Sequence, residues 1–231
     1  RKDGGLTADA VRQTAHILKD AGKKIQIRAT VTPENFDRIP DIVGYAAESL
    51  HAETVRVEPV FRIALSEGRE VAEAAAFCDG FLLAKAEAAK RQCKIEMSGS
   101  RIQTIHGRYC QIFRHVLQVV PGDGVSACFL TANRREAETR GLTVDPKHDN
   151  LGGLAAVLRQ QDPACETCFN RFHCARGCPD HCPVDGVADH GSFRCRVNRT
   201  LAAAQITDIF ESRLRPLLEN KTIPYAGTVI L

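Results

Sequence analysis

Residues 24–61 read KIQIRATVTPENFDRIPDIVGYAAESLHAETVRVEPVF, and the periodicity changes twice along them. KIQIRATVT alternates and is rich in β-branched residues, which predicts a strand. PENFDRIPDIVGYAAESL gives a turn and then a helix starting near Pro40, because proline's fixed φ suits a first helical turn. ETVRVEPVF predicts a second strand. Upstream, LTADAVRQTAHILKDAG places Leu6, Val11, Ala15 and Leu18 on one stripe, with Thr7 as N-cap and Gly22 as stop, so an amphipathic helix is expected. Helix, strand, helix, strand with short connections is the rhythm of parallel β/α units, in which helices cover a sheet or a barrel wall. The expected fold class is therefore α/β. Sites in such folds lie at the C-terminal strand ends, here Thr30, Thr32, Glu58 and Phe61. Two units are too few to close a barrel, so either the chain is truncated or the sheet is open.

Farther along, an alanine-rich helix is expected over about residues 69–92 and a short strand at CKIEM. Beyond residue 100 turn residues become frequent, in GDG, DPKHDNLGG and CPVDG, and helical periodicity returns only in NRTLAAAQITDIFESRLRPLLE, with a bend at Pro216. A boundary is placed near residue 100. The 231 residues are 44% hydrophobic, enough for a sizeable core, and the formal net charge of +3 is well mixed. Composition thus indicates neither a nucleic-acid surface nor a funnel for acidic substrates. No run approaches the roughly 18 apolar residues of a membrane span and no signal-peptide pattern opens the chain, so a soluble, cytoplasmic protein is expected, with neither nucleic acid nor membrane as partner. The opening RKDGGLTADAV runs almost at once into a helix, which suggests a piece of a longer polypeptide.

Ten cysteines are present, and eight of them lie between Cys110 and Cys195. Five fall within CETCFNRFHCARGCPDHC, residues 165–182. A disulfide framework suits small secreted domains; close C-x2-C spacing in a chain with its own core points to metal or a cluster instead. In order come Cys110, Cys128, then C-x2-C-x5-C-x3-C at Cys165, Cys168, Cys174 and Cys178, then Cys182 and Cys195. A metal or cluster takes about four thiolates, so two sites are expected. Zinc is the alternative occupant, although its usual pattern has two C-x2-C pairs and only one is present here. Cys78 and Cys93 stand apart and are expected as buried structural thiols. His173 and His181, inside the cluster, are expected beside the site or at the surface and not as ligands. Arg28, Arg56 and Glu58 sit on expected strands, where they either pair within the wall or face a cofactor or substrate. NRT at residues 198–200 matches a glycosylation acceptor by chance.

These cysteines resemble the seven-cysteine SPASM signature found C-terminal to the barrel of radical S-adenosylmethionine enzymes. In that family the segment between the first two cysteines usually ends in a proline–aspartate–glycine turn and a strand, where this chain has VVPGDGVSAC. IRATVTPENFDRIPDIV and VRVEPVF look like the family's last two strand–helix units. The resemblance implies a C-terminal part of a partial (β/α)6 barrel over residues 1–99, a SPASM domain over 100–200 and a C-terminal helix and tail over 201–231. It implies two auxiliary [4Fe-4S] clusters, the first on Cys110, Cys128 and Cys178 and the second on Cys165, Cys168, Cys174 and Cys195. For the fourth ligand of the first cluster three sources stay open: Cys182, Cys93, or an iron left for a substrate group. In the intact enzyme a third [4Fe-4S] cluster would cleave S-adenosylmethionine to a radical that takes a hydrogen atom from a peptide or protein substrate, with electrons from a donor such as a flavodoxin or ferredoxin. Arg28 and Glu58 would face the cofactor.

The chain departs from the family pattern in three further ways. The gap between Cys110 and Cys128 is long. Anaerobic sulfatase-maturating enzymes carry an aspartate directly after the cysteine matching Cys128, where this chain has Phe129, so a maturase of that kind is the weaker alternative to a peptide-modifying enzyme. The family's radical-generating C-x3-C-x2-C motif does not occur among these cysteines, and this chain alone is expected to be inactive. A non-catalytic peptide-binding module stapled by zinc or clusters is the alternative of a different class.

Overall fold

In a computed structural model of the chain, the described residues are 7–60, 70–105, 118–120, 124–126, 128, 133, 135, 138, 165–174 and 192–219. Three parallel strands, β1 (Gln26–Val31), β2 (Thr54–Pro59) and β3 (Lys94–Glu96), lie side by side in that order. A 3-10 turn (Pro33–Arg38) and helix α2 (Ile39–Ser49) connect β1 to β2; α3 (Glu70–Lys90) lies between β2 and β3. A preceding helix, α1, spans Ala8–Asp20. The strands arise where the alternation predicts them, and the register explains what the alternation accomplishes. Ile27, Ala29 and Val31 pair with Val55, Val57 and Pro59, and Val55 pairs in turn with Ile95. Paired residues of a parallel sheet share a face, so one face is apolar and packs into a core with Val43 of α2 and Phe77 of α3. The other face carries the rows Gln26–Thr54–Lys94, Arg28–Arg56–Glu96 and Thr30–Glu58.

Helix α3 buries Ala74, Phe77, Cys78, Phe81, Ala84 and Ala88, a stripe at three- and four-residue spacing. Small residues along it let neighbouring backbone come close. A Cβ on Gly80 would lie 2.1 Å from the Phe36 carbonyl oxygen, so the 3-10 turn rests directly on the helix at that point. Cys78 and Cys93 both lie in this core.

The stripe expected on α1 is mostly open. Ala15 is buried with Ile25 and Leu50, whereas Val11 and Leu18 are exposed, because α1 meets only a small separate cluster at the start of the sheet. Its stop is as the sequence suggests: Gly22 has φ +67, a left-handed conformation that glycine adopts without strain.

The last long helix, α4 (Phe193–Ile209), starts five residues before Asn198 and so runs through the expected boundary at residue 200. Ser192 accepts the Cys195 N–H at its N-terminus, and this capping bond fixes where the helix begins. Phe193, Val197 and Leu201 join the same core as the sheet. Phe193 stacks on Phe36 and tilts against Phe77, with centroids 6.3 and 6.2 Å away. Near Pro216 the irregularity is a π-helical turn, Phe210–Leu214, leading into α5 (Arg215–Glu219). Pro216 has no N–H for the Ser212 carbonyl, and its ring crowds the preceding turn. A hairpin of β4 (Gln118–Val120) and β5 (Gly124–Ser126) is antiparallel and leads to Cys128. Among the described residues, no helix is long and apolar enough to cross a membrane.

Candidate metal centre

Cys165 and Cys168 sit on consecutive turns. The Cys168 N–H is directed at the Cys165 carbonyl, the Arg171 N–H bonds to the Cys168 carbonyl at 3.0 Å, and the His173 N–H bonds to that of Asn170 at 3.0 Å. This tight coil carries the chain to Cys174, which forms an isolated antiparallel bridge with Ser100. Cys195 comes from the first turn of α4. All four are half-buried and none is in a disulfide.

They share one electrostatic neighbourhood. Burial pushes the Cys195 thiol up to about 12, and repulsion from Cys174, Cys168 and Cys165 adds to the rise, against an opposing pull from Arg199. Burial and the three neighbouring sulfurs oppose ionisation of Cys195, a cost that a positively charged centre would offset as it drew off the proton. Among the described residues, no three histidine, cysteine or acidic side chains converge closely enough for one metal ion. Tetrahedral zinc, with Zn–S near 2.3 Å, would need sulfurs within about 3.8 Å of each other. An iron–sulfur cubane gives each thiolate its own iron and so spreads the four sulfurs more widely. As four soft sulfur donors of one neighbourhood, these residues are of the chemical type that would hold a cluster.

Two nitrogen donors reach the sulfurs from α4. Asn198 Nδ2 donates to Cys174 Sγ at 3.2 Å, and Arg199 Nη1 lies 3.8 Å from Cys168 Sγ. Asn198 belongs to a buried polar group: its backbone carbonyl accepts from Asn170 Nδ2 at 3.1 Å and from Ser100 Oγ at 3.5 Å, while Gln205 Nε2 donates to the Ser100 carbonyl at 3.1 Å. The turn bearing Ser100 is tied to the sheet by Glu58, whose Oε1 accepts the Ser98 N–H at 2.9 Å.

Of the other expected site residues, Cys128 follows β5, with Ser126 Oγ accepting its N–H at 3.1 Å. Cys110, Cys178 and Cys182 lie outside the described residues, as do Phe61, Phe129 and His181. Cys93 sits in the hydrophobic core, its Sγ 3.5 Å from the Lys94 carbonyl. His173 directs Nδ1 at the Thr104 carbonyl, 3.1 Å away. On the sheet's polar face Arg56 pairs with Glu96 at 3.2 Å, Arg28 is exposed, and Glu58 is buried and engaged with Ser98. Asn198, first residue of the NRT triplet, is buried, which closes it to glycosylation in the folded chain.

Asn170, Asn198, Arg199 and Gln205 are the residues that the motif reading does not find. A single signal pointed to two of them. Once Ser192 is read as an N-cap, Cys195, Asn198 and Arg199 fall at i, i+3 and i+4 on one helix face. No family model, curated protein or solved structure matches this chain.

Proposed function

We propose that this chain is the C-terminal region of a radical S-adenosylmethionine/SPASM enzyme that modifies a peptide or protein substrate. The observation that carries this reading is the common neighbourhood of Cys165, Cys168, Cys174 and Cys195, the four thiols that the resemblance groups on one auxiliary cluster. A second support is the sheet. Parallel sheets are ordinarily covered by apolar layers on both faces, yet here the face away from the helices is polar in every paired row, which suits the lumen of a partial barrel.

The four thiols would hold one [4Fe-4S] cluster; Cys110, Cys128 and Cys178, with Cys182 as a candidate fourth ligand, would hold the other. When bound, such clusters accept and pass single electrons. The chain's own residues do the rest: α4 fixes Cys195 to the core, the coil 165–174 delivers three sulfurs, and the Ser100 turn ties the site to the sheet. Arg28, exposed on the polar face, would meet an anionic group of cofactor or substrate. Glu58 is occupied with Ser98, so its part in a cofactor pocket is to hold the wall. S-adenosylmethionine and a third [4Fe-4S] cluster belong to the intact enzyme, with a flavodoxin or ferredoxin as electron donor, in the cytoplasm where thiols stay reduced.

Metal analysis of the chain purified without oxygen tests this. About eight irons and eight sulfides per chain are expected for two [4Fe-4S] clusters. Stoichiometric zinc without sulfide would retire the enzyme and leave a zinc-stapled binding module.

A further inference from the structure

Resting on the four-thiol reading above, we propose that Asn198 and Arg199 set the reduction potential of the cluster held by Cys165, Cys168, Cys174 and Cys195, by directing N–H groups at the sulfurs of Cys174 and Cys168. The step concerned is uptake of one electron by the cluster, with no bond made or broken. Reduction adds negative charge that spreads onto the ligand sulfurs. A donor aimed at a sulfur stabilises that added charge, and hydrogen bonds to sulfur are among the features that tune cluster potentials. Where a group is buried, water screens little of the effect.

Asn198 is 1% exposed, and its Nδ2 lies 3.2 Å from Cys174 Sγ. Its Oδ1 is buried with no hydrogen-bond partner, an arrangement retained although it leaves an acceptor unused. Turning the amide over would aim that oxygen at the thiolate, which charge repulsion forbids. The side chain is held from behind as well: a Cβ on Gly99 would approach Asn198 Oδ1 to 2.9 Å, so only glycine leaves the amide its place. Bonds from Asn170 and Ser100 go to the Asn198 backbone carbonyl, while the side-chain Nδ2 donates to the Cys174 sulfur. Arg199 adds a full positive charge. Its Nη1 is 3.8 Å from Cys168 Sγ, and its guanidinium lies 5.5 Å from the centre of the Phe169 ring. One helix thus supplies Cys195 as a ligand and, from its next turn, donors toward two other ligands.

The test is a redox titration with dithionite, read by the paramagnetic resonance signal that Cys195→Ala abolishes. Asn198→Leu keeps the shape and the backbone carbonyl but removes the donor; Arg199→Gln removes the charge, and Arg199→Lys restores it. With iron content unchanged, each removal is expected to lower the reduced-to-oxidised ratio at a fixed potential roughly tenfold, equal to a shift of about 59 mV for one electron, and the lysine variant to recover most of it. An unchanged potential in both variants, with the signal intact, would overturn the tuning role and leave the four-thiol site standing. Loss of iron from both would also overturn it, by assigning the two residues to holding the site together. A parent chain with no iron and no signal would remove the four-thiol reading itself, and with it the tuning.

Discussion

Ser100 bridges Cys174 in antiparallel fashion, and at that pairing the turn that leaves the parallel sheet meets the coil that carries three of the four thiols. Glu58 anchors the same turn from the sheet side through the Ser98 N–H, so the three residues Ser98–Ser100 connect the sheet to the candidate metal centre.

Removing that anchor has a defined cost. Glu58→Ala leaves the Ser98 N–H without its acceptor, and denaturant unfolding is expected to show a loss of about 2 kcal/mol. Glu58→Gln keeps an acceptor oxygen and is expected to lose well under half of that. Equal stability of all three proteins would show that the bond does not hold the turn.

Gly80 permits the contact between α3 and the 3-10 turn. Gly80→Ala places a methyl group into the Phe36 carbonyl, where backbone cannot yield cheaply, and a destabilisation of about 3 kcal/mol or more is expected in thermal or denaturant unfolding. A change within 0.5 kcal/mol, the ordinary scatter of surface substitutions, would contradict so close an approach.

Phe193 joins α4 to the core beside Phe36 and Phe77. Phe193→Ala is expected to cost about 3–4 kcal/mol. Because Cys195 lies two residues on, iron retention should fall in parallel. Full retention of iron in a chain destabilised by that amount would show that the metal centre holds α4 without the core.

The pH dependence of stability isolates Cys78. Burial pushes its thiol from 9.0 up to about 11, against a hydrogen bond from Thr200 that opposes the rise. Below pH 9.0 both folded and unfolded chains keep the proton, so the contribution of burying a neutral thiol is complete. Between 9.0 and about 11 only the unfolded chain ionises, and stability falls as pH rises. Metal-free protein unfolded at about pH 8 and about pH 10 should lose more stability across that step than Cys78→Ala does. Identical losses would show that Cys78 ionises alike in both states.

The strands and helices of residues 24–96 were legible because one side of each meets the core, and burial imposes its period directly on the sequence: Val55 and Val57 alternate with Arg56 and Glu58 for that reason. The α1 stripe misled because period alone does not say whether a partner surface is there, and only Ala15 found one. The start of α4 is set by the Ser192 cap, which lies upstream of the stretch where helical periodicity shows in the sequence. The grouping of Cys165, Cys168, Cys174 and Cys195 is what the resemblance implies, whereas nothing in the resemblance implies their polar support. Asn170 and Asn198 meet from 28 residues apart, and Gln205 reaches Ser100 across 105, distances over which no local pattern operates.

The most direct measurement is the iron and sulfide content of Cys195→Ala beside the parent, both purified without oxygen. If Cys195 completes a four-thiol cluster site, the variant should lose about four of about eight irons, with sulfide falling in step. Unchanged iron and sulfide in a folded Cys195→Ala protein would contradict the site.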